Sequence, residues 1–267
     1  MFKILLNPNK AERGIYEIVF IAFFYSSLSL LISYWIFPEL VSIVAVAFTV
    51  FSCLYITQGI LKKEQKKEVE INEKSLLKRH ANSMKFFLAL FIGITLAFVF
   101  WTYILNGTNS QQIFSMQEQT INQIKNNEIT GNAINSGSYL KTIIFNNLQV
   151  IFISLIISIA YGAGGIFVLT WNASIMGYVI GSLTKQYGLQ FLPSILTKYF
   201  LHGIPEMISY IAIILAGGLI YTSIIKKDFK EKTKRNKILL DIFILISISI
   251  FLMLSAAMIE TYISPWI

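Results

Sequence analysis

ILLDIFILISISIFLMLSAAMI, residues 238–259, carries one charged side chain, Asp241, in a run of 22 positions. That is the length a helix needs to cross a hydrocarbon core of about 30 Å. Apolar residues fill consecutive positions rather than every second one, so the run does not read as a barrel strand. In lipid every backbone N–H must find its partner within the segment or in a closed sheet, and the run therefore predicts a transmembrane helix. Working outward, comparable runs occupy residues 15–37, 40–61 and 86–105, residues 142–184 are nearly free of charge, and residues 191–225 are apolar over most of their length. Of the 267 residues 55% are hydrophobic and 13% charged, against about 25% charged in a soluble domain. The expected fold class is all-α, a polytopic transmembrane helix bundle.

The net charge of +8 could suggest nucleic acid, but a nucleic-acid reader gathers its basic residues on one face of a soluble fold. Here they gather in two short segments between apolar runs, residues 62–85 and 226–237. Both are expected in the cytoplasm by the positive-inside rule, with the N-terminus, and the C-terminal tail without Lys or Arg is expected outside. No cleavable signal peptide is apparent, since residues 1–13 are polar and the first apolar run is too long for one. Cys53, the single cysteine, lies in an apolar run, cannot form an internal disulfide, and is expected to be a packing residue.

Parity then sets the middle of the chain. Residues 142–184 would form about 65 Å of helix, enough for two crossings. The natural break is Gly162-Ala163-Gly164-Gly165, with Trp171-Asn172 as a second candidate in which Asn172 caps the next helix. Residues 191–225 supply the next crossing but overshoot one bilayer, and Gly203 and Pro205 are expected to break the helix around residues 202–206. The count is about seven spans, or six plus a re-entrant segment. Four parts follow: residues 1–105 with three helices and the basic loop 62–85, an extracytoplasmic polar loop 106–140, a membrane core 141–225, and residues 226–267 with the second basic loop and last helix.

Scarce polar groups in such a chain are the places to look for function. His202 and Glu206 are the only histidine and the only acid between Lys141 and Lys226, and four-residue spacing puts them on one helix face. They read either as a proton-linked or ligand-gripping pair, or as the cap of a helix that Pro205 starts. Asn172 joins them as a candidate intramembrane polar site, or bonds between helices. Asn146 and Asn147 read as interfacial caps of the fourth span, Asp241 as a cap in the first turn of the last one, and His80 as a solvated residue of the basic loop. Asn106-Gly107-Thr108 is a glycosylation sequon. Gly162, Gly164, Gly165, Gly177, Gly181, Gly217 and Gly218 read as helix-packing positions, within the chain or between two copies. Two ligands are too few for a metal site. No catalytic, metal or cofactor motif is present, so no enzyme, no metal and no cofactor are expected.

Thr170-Trp171-Asn172-Ala173-Ser174-Ile175-Met176-Gly177, then His202-Gly203-Ile204-Pro205-Glu206 and Gly217-Gly218, in that order after the paired asparagines, resemble the stage II sporulation protein M family. The resemblance covers roughly residues 141–225, and the first spans and the polar loop look like the archaeal branch. It implies a multi-pass protein of the cell membrane. Relatives in spore-forming bacteria work with cell-wall-degrading proteins during engulfment, as a membrane scaffold. The chain departs from that pattern at Leu201, where a proline often precedes the His-Gly, and at Ala173, where a Gly often follows the Asn. The sporulation role is therefore not carried over. The expected function is a non-enzymatic membrane scaffold or complex-assembly component, with a transporter or channel component having its polar site at the broken helix as the alternative. An intramembrane enzyme using His202 and Glu206 lacks a nucleophile. Expected partners are the lipid bilayer, another copy (a homo-oligomer) or other membrane proteins, with no nucleic acid.

Overall fold

The computed structural model describes residues 14–70, 76–105, 108–130 and 136–264. Among them are nine α-helices and no strand: α1 Ile15–Ile36, α2 Val41–Glu70, α3 Leu76–Ile104, α4 Thr108–Ile113, α5 Ser115–Thr130, α6 Ser136–Tyr161, α7 Ile166–Tyr187, α8 Leu192–Lys226 and α9 Lys232–Tyr262. Six of the described helices are long and apolar enough to cross a membrane, in α1, α3, α6, α7, α8 and α9, and Val41–Leu54 is a shorter apolar stretch at the start of α2. α1 and α3 run parallel, since Gly93 meets Ala22 and Phe23 packs on Phe100 further along both. α2 joins them and so carries the chain back between them. The sequon at Asn106-Gly107 lies outside the described residues.

Small residues set the packing. A Cβ at Gly177 would lie 2.5 Å from Phe98 Cβ and 2.7 Å from the Thr95 carbonyl, and one at Gly181 would lie 2.7 Å from Thr102 Cβ. The α3 and α7 backbones thus touch along two turns, and the Lys185 ammonium reaches the Leu105 carbonyl at the end of that seam. Gly217 opposes Ser158 Cβ at 2.5 Å, and Gly165 opposes Ile214 at 2.5 Å, closing α6 and α7 onto α8. Gly164 lies against Ile157 and Tyr161, and Gly218 is buried in α8. Where lipid tails are as apolar as leucine, such close approach is a main source of helix association. These seams lie within one chain.

The chain does break at the predicted glycines: α6 stops at Tyr161, Gly162 takes φ +63°, and a short 3-10 turn Ala163–Gly165 leads into α7. Gly162 is needed there twice, because a left-handed φ suits a residue without Cβ and because Tyr221 leaves no room for one. The other expected breaks are absent. Trp171 and Asn172 lie inside α7, and Asn172 caps nothing: its Nδ2 donates to the Val168 carbonyl one turn back. No broken helix occurs around residues 202–206. α8 runs unbroken through His202, Gly203, Pro205 and Glu206. Proline removes one donor, whereas ending the helix would orphan several backbone groups in lipid, so continuation costs less. Asn146 and Asn147 are eleven and twelve positions into α6, Asp241 is the tenth residue of α9, and none caps a helix. His80 is not solvated but fully buried near the start of the α3 span. Cys53 is buried and free.

The largest departure is in residues 106–140. Instead of a plain polar loop, residues 108–130 fold as α4 and α5, and their junction turns back into the bundle. Ile113 and Phe114 are buried, and the Phe114 ring packs between Phe98 of α3 and Tyr178 of α7. Ser42 Oγ donates to the Ile113 carbonyl at 2.8 Å, and Gln112 Nε2 donates to the Pro38 carbonyl at 2.7 Å. Gln117 is fully buried and its Nε2 donates to Ser174 Oγ at 3.2 Å, about 20 Å along α7 from its Tyr187 end. The bundle therefore has a cap end, holding α4, α5 and the turns at 37–40 and 188–191, and a basic end, holding the turns at 162–165 and 227–231.

Candidate functional site

The candidate site lies in the cap-end half of α8. His202, Glu206 and Tyr210 recur every four residues and so share one face. Tyr210 is fully buried and its hydroxyl donates to Glu206 Oε1 at 2.7 Å. Glu206 itself is half-buried. His202 Nδ1 lies 3.1 Å from Ser264 Oγ, just past the end of α9, and its ring lies beside Tyr199. Two turns deeper, Ser209 Oγ donates to the Ser249 carbonyl at 2.7 Å and lies 3.1 Å from Ser249 Oγ, a buried staple between α8 and α9.

Two further helices reach the same layer. Gly203 faces Met176 of α7 across an antiparallel seam, and following that seam one turn brings Asn172 level with Met207. α6 and α8 run parallel, with Ser158 against Gly217 and Gly162 against Tyr221. The buried stripe of α6 continues through Ser154 and Ile151 to Asn147. Carrying that register about three turns toward the cap end sets Asn147 level with Glu206. Asn147, Asn172, Glu206 and Tyr210 thus form one polar layer across three helices.

Asn172 and Glu206 are placed at one depth and His202 about one turn nearer the cap end, and the three do not form one constellation. Among the described residues no hydrogen bond joins any two of Asn172, His202 and Glu206. Each has its own partner: the Val168 carbonyl, Ser264 and Tyr210. Tyr210 was legible as the next position of the His202–Glu206 spacing. Ser264, 62 residues away, had no local signal, and neither had Gln117, which sits in an amide-rich stretch that reads as a loop. Among the described residues no group of three or more His, Cys, Asp or Glu side chains is placed to hold a metal ion. The layer can hold a proton on the Glu206–Tyr210 pair or tie helices together; it presents no activated nucleophile.

Long apolar helices, glycine seams and a thin polar layer define an integral, multi-pass membrane protein. Within that class, the family model described as Stage II sporulation protein M matches residues 40–265. The chain belongs to that family. It is also similar to an uncharacterized protein of Methanocaldococcus jannaschii, 33% identical over 127 residues, which covers 46% of this chain and 70% of that protein. No solved structure matches the chain significantly.

Proposed function

We propose that the protein is a non-enzymatic scaffold of the cell membrane, with the basic end in the cytoplasm and the cap end outside, and that it assembles partners on the cap. The observation that carries this reading is how α4 and α5 are held. Ile113, Phe114 and Gln117 anchor them to α2, α3 and α7, while Gln111, Gln119, Asn122 and Gln123 remain exposed. Carboxamides donate and accept at once, so a rigid surface of them suits recognition of a protein partner by hydrogen bonds. The orientation follows the basic residues near the helix ends. Photo-cross-linking from Gln119 and Asn122 in native membranes is expected to trap a discrete protein partner, and purified protein in liposomes is expected to carry no ion or solute flux.

A second reading, a transporter or channel component, is favoured by one observation, the half-buried Glu206 paired with the fully buried Tyr210 in a layer that spans three helices. The two readings part on Glu206→Gln. As a structural pair, the amide still accepts from the Tyr210 hydroxyl, so stability should change by about 1 kcal/mol or less and cross-linking should persist. A flux in liposomes that Glu206→Gln abolishes would replace the scaffold by the transporter.

A further inference from the structure

We infer that α6 is a dimer helix, pairing in the membrane with α6 of a second copy of this chain. Its 23-residue span Tyr139–Tyr161 is the least buried of the six, at 28%. Gln149 is exposed and stands one residue from the midpoint of that span, with Asn146 exposed one turn nearer the cap end. Neither amide has a hydrogen bond among the described residues. The exposed faces of α1 and α9 differ. The middle of α1 exposes Phe20, Phe24 and Leu28, and exposed Ser247 of α9 bonds to its own Phe243 carbonyl. A glutamine at mid-span is too short to reach the headgroups, and lipid tails offer its amide nothing. A polar transmembrane helix is what satisfies it.

The spacing names the partner. Thr142, Gln149 and Ile156 recur every seven residues, and Phe145 and Phe152 interleave with them. Phe145 and Phe152 are each 64% exposed and Ile156 is 50% exposed. This is a coiled-coil seam with one polar residue at a central position, the arrangement that sets register and oligomer state. Copies inserted in one orientation are related by a two-fold axis along the membrane normal, so each α6 crosses its own counterpart in parallel. Gln149 then meets Gln149 of the other copy, and because an amide both donates and accepts, the pair satisfies itself. The glycine seams are spent within the chain and do not compete for this face, and the α5 surface invoked for other partners is separate from it.

The test uses the full chain in native membranes. Single cysteines replace Asn146, Gln149 and, on the lipid face of α9, Phe243, in a Cys53→Ala background, and mild oxidation follows. A disulfide-linked homodimer is expected from Gln149→Cys and Asn146→Cys and not from Phe243→Cys. Gln149→Leu, at an exposed position, is expected to weaken dimerisation in nanodiscs about tenfold with the monomer's thermal unfolding unchanged. A monomer in native lipid, homodimer links at Phe243→Cys instead, or a link from Gln149→Cys only to a different protein would each overturn the inference.

Discussion

Gly177→Leu is expected to destabilise the bundle by about 3 kcal/mol or more, at the upper end of what overpacking costs. The reason is what stands opposite. A Cβ there would lie 2.5 Å from Phe98 Cβ, 2.7 Å from the Thr95 carbonyl and 3.2 Å from the Val99 amide nitrogen. Two of these three are backbone atoms of a helix that cannot bend away without breaking its own bonds. α3 and α7 must therefore separate, and the damage spreads along the seam to Gly181 and to Phe114, which lies between Phe98 and Tyr178. Detergent-titrated unfolding of purified protein and its steady-state level in membranes are the measurements. Gly14→Ala, with nothing within 4 Å of the added carbon, is the control and should be silent. A Gly177→Leu protein as stable as the control would mean that the α3–α7 contact is not close-packed.

The bundle was legible because lipid is an unforgiving solvent: a run such as residues 238–259 has few alternatives to a helix. The Gly162–Gly165 turn was legible for a related reason, since four residues with little or no side chain mark the cheapest place to leave a helix. Local punctuation failed where the cost of stopping in lipid exceeded the local preference. Pro205 forgoes one bond and α8 continues, Asn172 bonds back onto α7, and Asn146 sits deep in a helix whose start lies at Ser136. The site divides the same way. His202, Glu206 and the next position of their spacing, Tyr210, are visible along one helix, whereas Ser264 meets His202 only through the packing of α9 against α8 and Asn147 joins the layer only through the register of α6 against α8. Residues 108–130 misled because amide-rich composition is what an exposed loop has, and the anchoring of Ile113, Phe114 and Gln117 is written in the shape of a pocket made by three other helices.

Phe114→Ala is the sharper probe of that anchoring, and is expected to cost about 3 kcal/mol, as deleting a buried phenyl ring does where the site cannot collapse. Phe114 is fully buried, with Phe98 and Tyr178 around its ring at centroid distances of 6.1 and 5.6 Å. Removing it leaves a void at the junction of α4 and α5, while the α3–α7 glycine seam beneath needs no part of the ring. The loss should therefore appear as local opening of the cap rather than as unfolding of the bundle. A fall of about 3 kcal/mol in the free energy of opening raises the population of the open form roughly a hundredfold, and cleavage of residues 108–130 by protease added to the cap side should rise by a comparable factor while opening is fast relative to cleavage. Phe51→Ala, at an exposed phenylalanine of α2, should leave cleavage unchanged. If the cap is the surface that gathers partners, cross-linking from Gln119 should fall together with cap closure in Phe114→Ala and stay intact in Phe51→Ala. A cap that becomes protease-sensitive while its cross-links persist would separate the two properties and place the partner surface elsewhere.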